Sequence, residues 1–306
     1  MITVGVPVYN NATTLRRTVD SILAQTRPAD VILLSDDQSH DDSQRVGEDL
    51  AAEHPTVIYV RRPENLGQTL NFHWLVHNAT TPYFMWLAGD DYILPTYLEQ
   101  TAARLDANPS VVGCVSQVQF TVNDVPSRLA TGGEPLAGTP ANRIARYLDC
   151  PAANARLYGL FRTAALAATF PKHHFHAWDW ASMAATLKYG THDRVEAVLM
   201  FRDETPHQYY TTLIRRDNPR PFDRIFPLAP LTRELLGRQR IPLDPVVIRA
   251  LLRINAELHC TYMEAYHPWY GNSVARLLRK NLWRISPARQ LDQQEREASG
   301  SVVVNA

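Results

Sequence analysis

Cysteine is scarce: three residues in 306. Cys114, Cys150 and Cys260 lie far apart and form no Cys-x-x-Cys pair, which argues against a disulfide framework and leaves reduced, mostly buried thiols as the expectation. An excess of either charge is also missing, since 31 basic side chains face 31 acidic ones. No global positive field exists to hold nucleic acid, and no nucleic-acid partner is expected. No uninterrupted apolar run approaches the roughly 20 residues of a membrane span. The opening "MITVGVPVYNN" carries neither a basic n-region nor a long apolar h-region, so a cytoplasmic protein is expected. Glycine-rich phosphate cradles are absent too. No GxGxxG follows the first strand-like run and no GxxxxGK[ST] occurs anywhere, which sets aside a dehydrogenase-type dinucleotide fold and a P-loop. A bound diphosphate would need its neutralising charge from elsewhere.

What is present is a chain that is 45% hydrophobic and long enough for one large domain or two smaller ones with a substantial core. Its first third alternates strand-like and helix-like periods. "ITVGVPV", "DVILLSDD", "TVIYVRR" and "YFMWLAGDD" read as strands; "NATTLRRTVDSILAQT", "HDDSQRVGEDLAAEH" and "LGQTLNFHWLVHNA" read as the helices between them. Apolar strands separated by helices predict an α/β fold with a mostly parallel sheet covered by helices on both faces. Further on, "VVGCVSQVQFTV" reads as a strand and "NDVPSRLATGGEPLAGTP" as a loop. "LYGLFRTAALAAT" reads as a strand entering a helix, "FPKHHFHAWDWASMAATLKYG" as a loop feeding a helix, and "VEAVLMFRDETPHQYY" as a strand ending in polar residues. From about Asp217 the pattern is helices broken by prolines, a helical C-terminal extension.

Polar clusters stand at the carboxyl ends of the first four strands: Tyr9 and Asn10, Asp36 and Asp37, Asn65, then Asp90 and Asp91. That is where parallel α/β sheets bind ligands. Two adjacent aspartates closing a buried apolar strand raise each other's pKa and resist desolvation, so a cation nearby is expected. A hard divalent ion held by carboxylates and substrate phosphates meets the requirement; a polar turn before the helix near Pro95 is the plainer alternative.

The segments "VPVYNNATTLRRTVDSILAQT", "ILLSDDQSHDDS", "NLGQTLNFHWLVHNA" and "YFMWLAGDDYILPTYLE", in this order and spacing, resemble glycosyltransferase family 2, inverting enzymes with a GT-A fold. The resemblance covers residues 1–105 firmly and 106–210 by pattern. It implies a nucleotide-diphosphate sugar donor, with a UDP-sugar favoured, and a divalent metal, Mn²⁺ or Mg²⁺. By the match, Asp37 with Asp36 beside it meets the base of the nucleotide, Pro7, Tyr9 and Asn10 touch the nucleoside, and Asn65, Gly67 and Asn71 line the donor pocket. The family's Asp-x-Asp appears here as Gly89-Asp90-Asp91, which assigns Asp91 as direct metal ligand and turns Asp90 toward the ribose or sugar. His207 matches a histidine that completes the metal site in some relatives, although a lone histidine is also readily a packed or solvated one. The resemblance further implies a polysaccharide-building role, with a glycan or lipid-linked sugar as acceptor, and three regions: a donor-binding half at 1–105, an acceptor-binding half at 106–215 and a helical region at 216–306.

An inverting displacement needs a base for the acceptor hydroxyl. The family places that carboxylate at the start of a helix in the second half, which matches Asp179 in "HAWDWASMAATLKYG", although Trp178 replaces the acid usual before it. Trp178 and Trp180 would desolvate the carboxylate, raise its pKa and offer faces for a sugar ring; a helix cap is the alternative role. Asp203 and Glu204 are the rival bases. The dense "HHFH" of His173, His174 and His176 lacks the partners of a zinc site and reads as a loop over the acceptor site. Arg156 and Arg162 are candidate phosphate clamps. Residues 274–289 form a basic amphipathic stripe that fits either an anionic membrane surface or packing on its own domain. Two other functions fit paired acids on an α/β fold: a sugar nucleotidyltransferase, which should carry a Gly-rich basic N-terminal loop, and a non-catalytic nucleotide-sugar binder.

Overall fold

A computed structural model describes residues 1–151, 154–203, 213, 216–217 and 225–267. The elements are β1 (Ile2–Val8), α1 (Leu15–Leu23), β2 (Val31–Asp36), α2 (Ser43–Glu53), β3 (Val57–Arg61), α3 (Gln68–His77), β4 (Tyr83–Trp86), β5 (Tyr92–Ile93) and α4 (Tyr97–Ala107). They continue as β6 (Val111–Val122), β7 (Val125–Leu129), α5 (Pro140–Asp149), a 3₁₀ turn (Ala155–Tyr158), β8 (Leu160–Arg162), α6 (Thr163–Thr169), α7 (Trp178–Thr186) and β9 (Thr191–Asp203). The described C-terminal part holds α8 (Ala229–Arg233), a π-helical turn (Glu234–Arg238) and α9 (Pro245–Tyr266).

The strands run in the order β3-β2-β1-β4-β8-β6-β9-β5, with β7 attached to β6. β1 pairs in parallel with β2 and β4, and β2 with β3. Past β4 the directions mix: β8 is antiparallel to β4 and β6, β9 is parallel to β6, and β5 is antiparallel to β9. The parallel character read from the sequence belongs to the first half, where each strand is followed by a helix that must carry the chain back. α1 shows the pattern that makes such a helix pack: Leu15, Thr18, Val19 and Ile22 form one buried stripe at helical spacing.

Residues 87–91 alone separate β4 from β5, although β8, β6 and β9 lie between them along the sheet. Four strand spacings amount to about 19 Å. A turn closed by the Asp91 amide on the Ala88 carbonyl at 3.0 Å does not stretch that far, so the sheet curls. The end of β9 thereby returns beside the end of β4, which joins the two halves of the chain at one place.

Beneath that place lies an aromatic core. The Trp86 ring packs on Phe72, Phe84 and Phe170 at centroid distances of 5.6, 5.0 and 5.1 Å, and Trp178 closes on Phe72 and Phe170 at 5.3 Å each. Trp178 is therefore a core residue, only 6% exposed, and not a face for a sugar ring; Trp180 remains half-buried.

Three elements escape the sequence pattern. α5 begins on a Thr139 side chain that accepts from the Asn142 amide at 3.3 Å, with Pro140 in the first turn, a local start signal for a helix. β7 lies in the stretch read as loop and is exposed along its whole length, so no burial pattern marks it. β5 is only two residues long. The C-terminal elements are helical as expected, with α9 packed on α5 and Arg253 paired with Asp149. Residues 274–289 fall outside the described residues. None of the helices among the described residues is long and apolar enough to cross a membrane. The donor and acceptor halves expected at 1–105 and 106–215 share one continuous sheet.

Candidate functional site

The strand order reverses between β1 and β4. Side chains beyond the carboxyl ends of these two strands flank the crevice that such a switch point opens. The loop after β1 is held open there by bonds to the loop after β2. The Asn10 amide donates to Ser39 Oγ at 3.0 Å, the His40 amide to Asn10 Oδ1 at 2.8 Å and the Asn11 amide to Ser43 Oγ at 2.8 Å. Asn10 takes φ of 56°, a left-handed conformation that asparagine tolerates better than most residues. Tyr9 is left 48% exposed, edge-on to His40 at 6.3 Å. Pro7 lies half-buried in β1 behind it.

The first aspartate doublet is engaged by its own neighbourhood. Asp36 is fully buried. Its carboxylate accepts from the Ser39 amide at 2.8 Å, the Tyr59 hydroxyl at 2.6 Å and Arg61 Nη1 at 3.1 Å. Such a group cannot reach a nucleotide, so the expected contact of Asp36 is replaced by a role in fixing the loop after β2. Asp37 accepts from the Leu66 and Gly67 amides at 2.8 Å each, one on each oxygen, and Asn65 Nδ2 bonds its carbonyl at 3.0 Å. Asp37 thus organises the entry to α3, where Gly67 takes φ of 80°. Each carboxylate oxygen retains accepting capacity. Asn65 is exposed. Asn71 is 3% exposed and its Nδ2 donates to the Ser35 carbonyl at 2.9 Å.

The second doublet is divided differently. Asp91 is 3% exposed. Its Oδ2 pairs with Arg202 Nε of β9 at 3.0 Å, and its Oδ1 accepts from the Asp203 amide at 3.3 Å. Burial pushes its carboxyl up to about 7, against the pull of Arg202. The cation demanded by the sequence is thus the chain's own, brought in by the curl of the sheet. Asp90 is half-buried. Burial raises its carboxyl, with Asp203 adding to the rise while Arg202 and Arg17 oppose it, and none of the described side chains hydrogen-bonds its carboxylate. Arg17 Nη2 instead holds the Asp90 carbonyl at 2.8 Å and Thr14 Oγ1 the Gly89 carbonyl at 2.7 Å. At Gly89 an added Cβ would sit 2.8 Å from Asn11 Cγ, so glycine lets the acidic turn lie against the first loop. Asp91 is the less accessible candidate for a direct metal ligand, since it is 3% exposed and paired with Arg202. Asp90 is the better one.

Asp179 begins α7, half-buried. Burial raises its carboxyl, opposed by a hydrogen bond from Asn154 Nδ2 at 2.9 Å and by His176. Tyr158 connects this acid to the doublet: its phenol is raised by burial and by the fields of Asp91, Asp90 and Asp179 together. Its ring lies 4.0 Å under the Arg202 guanidinium. One tyrosine therefore feels both acidic groups.

The remaining candidates separate as follows. Arg162 spends its guanidinium on the Val111 and Leu105 carbonyls at 3.0 and 2.7 Å, and Arg156 is buried against the Glu134 carbonyl; neither is placed as a phosphate clamp. Asp203 is exposed and accepts from Thr121 Oγ1 at 3.1 Å. His174 and His176 pair with Asp217 at 3.2 and 3.6 Å, and His174 Nδ1 meets Thr69 Oγ1 at 2.7 Å, tying the histidine loop to the first turn of α3. Among the described residues no group of three or more His, Cys, Asp or Glu could hold a metal ion. His207 and Glu204 lie outside the described residues. Arg202, Tyr158 and Asn154 were missed from the sequence. No local motif marks them, because each acquires its role from a partner far along the chain.

Known proteins resemble this chain in sequence and in fold. The model of the family described as glycosyl transferase family 2 matches residues 3–167. An uncharacterised glycosyltransferase of Rickettsia typhi is 28% identical over 117 residues, 37% of this chain and 36% of that protein. An uncharacterised protein of Mycobacterium tuberculosis is 32% identical over 111 residues, 36% and 34% of the two chains. The match spans about a third of the length of these curated relatives. Among solved structures, Staphylococcus aureus TarS 1–349 in complex with UDP-GlcNAc superposes with a TM-score of 0.57 at 17% identity, covering 96% of this chain and 92% of that one. The mannosyltransferase PcManGT of Pyrobaculum calidifontis, in complex with GDP-Man and Mn²⁺, gives 0.53 at 17% identity, covering 97% and 80%. At such identity the likeness concerns the fold.

Proposed function

Because the chain belongs to glycosyl transferase family 2, we propose that it moves a sugar, with inversion, from a nucleotide-diphosphate donor to a hydroxyl of a glycan or lipid-linked acceptor. The observation carrying this reading is the Asp91–Arg202 pair at 3.0 Å beyond β4, which leaves Asp90 beside it with no bond from the described side chains; Asp179 at the start of α7 is a second carboxylate raised by burial. Two carboxylates kept out of an ion pair and partly out of water suit two tasks, holding a cation and accepting a proton. The exposed Tyr9 and the Asp37-organised loop provide the nucleoside end, with UDP-sugars favoured.

A divalent metal fits the residues present. Asp90 supplies a desolvated oxygen ligand bonded by none of the described side chains, Asp203 lies within its field, and oxygen donors suit Mn²⁺ or Mg²⁺. Bound there, it would offset the charge that develops on the departing diphosphate. His207 is the further ligand in this proposal. Arg202 holds Asp91 fixed behind Asp90 and adds positive field to the site. On the acceptor side, Asp179 takes the hydroxyl proton as the new glycosidic bond forms on the face opposite the breaking one. Its raised pKa makes it a stronger base than an ordinary carboxylate. A peripheral membrane contact through residues 274–289, at the cytoplasmic face, would bring such an enzyme to a lipid-linked acceptor.

The test is nucleoside diphosphate release from UDP-glucose, UDP-galactose, UDP-GlcNAc and GDP-mannose with Mn²⁺, with and without glycan acceptors. Metal-dependent release that rises with an acceptor is the expected result. Pyrophosphate formed from a nucleoside triphosphate and a sugar phosphate would identify a nucleotidyltransferase instead. Tight binding with no turnover would identify a binding protein.

A further inference from the structure

Asn154 links α5, which the proposed chemistry has not yet used, to the Asp179 carboxylate at the start of α7. It caps the 3₁₀ turn in a left-handed conformation, φ 49° and ψ 44°, and is 3% exposed. Its Oδ1 accepts from the Tyr147 hydroxyl of α5 at 2.8 Å, and its Nδ2 donates to Asp179 Oδ2 at 2.9 Å. Tyr147 is itself buried, at 1% exposure. A buried amide keeps whichever orientation pairs both its ends. Turned around, it would set its oxygen against a carboxylate oxygen, acceptor facing acceptor. The carboxylate, which can only accept, therefore fixes which end of Asn154 meets Asp179, and the Tyr147 hydroxyl bonded to the far end holds the direction and plane of the amide.

The donor is neutral, and that matters. Arg202 beside Asp91 supplies a full charge, which favours the ionised carboxylate and weakens it as a base. An amide constrains direction while stabilising the charge less. Of the titratable groups on elements packed around Asp179, His176, Tyr147 and Tyr158 face it. Glu234 and Arg238 of the π-helical turn pair with each other at 3.5 Å, and Arg143 of α5 is spent on backbone carbonyls, Gly138 among them at 2.9 Å.

We infer that Asn154, oriented by Tyr147, is a positioning residue that holds Asp179 Oδ2 and thereby sets the direction in which Asp179 Oδ1 meets the acceptor hydroxyl. The inference rests on Asp179 being the base of the transfer proposed above.

Three variants test it. Asn154→Gly keeps the left-handed backbone and removes the amide. Asn154→Asp keeps size and backbone preference but sets a like charge against Asp179. Tyr147→Phe keeps the ring and removes the orienting hydroxyl. Two readouts are needed. The first is the Asp179 titration midpoint from ¹³Cγ NMR of aspartate-labelled protein, assigned by its loss in Asp179→Asn. The second is kcat and donor KM for acceptor-dependent release from whichever of the four sugar nucleotides above is turned over. Expected are an upward midpoint shift in Asn154→Gly, a larger one in Asn154→Asp and a smaller one in Tyr147→Phe. The fall in kcat should follow the same order, about 10-fold or more for Asn154→Gly, with donor KM within about 2-fold. An unmoved midpoint in both Asn154 variants, or a fall in kcat matched by an equal loss of donor binding, overturns the inference. If the wild type turns over none of the donors, the functional reading fails on its own, while the NMR midpoints still decide whether Asn154 and Tyr147 control the Asp179 carboxylate.

Discussion

Two aspartate doublets close two strands of one sheet, Asp36–Asp37 after β2 and Asp90–Asp91 after β4. They look alike in sequence and are resolved in opposite ways. The first finds its partners nearby, in Ser39, Tyr59, Arg61, Leu66 and Gly67. Both of its acids are used to hold loops. The second finds Arg202 across 111 residues of sequence, which pairs with Asp91 and, with Arg17, adds only its field to Asp90. Asp90 is left desolvated, with no side-chain donor among the described residues. A folded chain does not leave a carboxylate in that state without cost. The difference teaches how two like doublets part: the one satisfied from its own surroundings holds loops, and the one left half-satisfied is the one to which the proposed function assigns the chemistry.

The comparison can be broken first at Asp90. Asp90→Asn should lower metal-dependent donor turnover by about 10²- to 10³-fold while leaving Tm unchanged, as checked by steady-state kinetics and thermal denaturation. Asp91→Asn should act mainly on stability. It removes the charge that Arg202 pairs with in Asp91, and breaking a buried pair costs about 3 kcal/mol or more; a urea titration checks this. Asp179→Asn should lower acceptor-dependent kcat by about 10²-fold and leave donor affinity nearly unchanged. The sign of its pH dependence follows from burial. A base must be ionised to act, and a raised pKa means that activity falls, on acidification, at a higher pH than an ordinary carboxylate would allow. The acidic limb of the wild-type kcat/KM profile should therefore lie above the usual aspartate range. Tyr59→Phe is the smallest change, removing one of three donors to Asp36 for about 1 kcal/mol with turnover intact.

Much of the first hundred residues was legible because their order comes from local periodicity. Apolar runs such as "ITVGVPV" became β1, and the helical spacing of Leu15, Val19 and Ile22 became α1. The polar ends of those strands were legible for the same reason. The partition of roles within each doublet was not, because it depends on the curl that returns β9 to β4. Arg202 carries no signal in "VLMFRD", and Asn154 none in its surroundings; both are defined by contacts made across long stretches of chain. Trp178 misled for a related reason: tryptophans two residues apart on a helix point to different sides, and here one faces the core. β7 and α5 were passed over because Gly and Pro dominate the stretch before Thr139, although the Thr139-Pro140 start was readable.

The most direct measurement sets Asp36→Asn beside Asp90→Asn and determines Tm and donor turnover for both on the same preparations. The account predicts a crossed result. Asp36→Asn should lose stability by about 2 kcal/mol and keep its turnover per folded molecule, whereas Asp90→Asn should keep its stability and lose its turnover. Full turnover in Asp90→Asn, or a loss of turnover in Asp36→Asn at unchanged Tm, would contradict the division between scaffold and reactive acids.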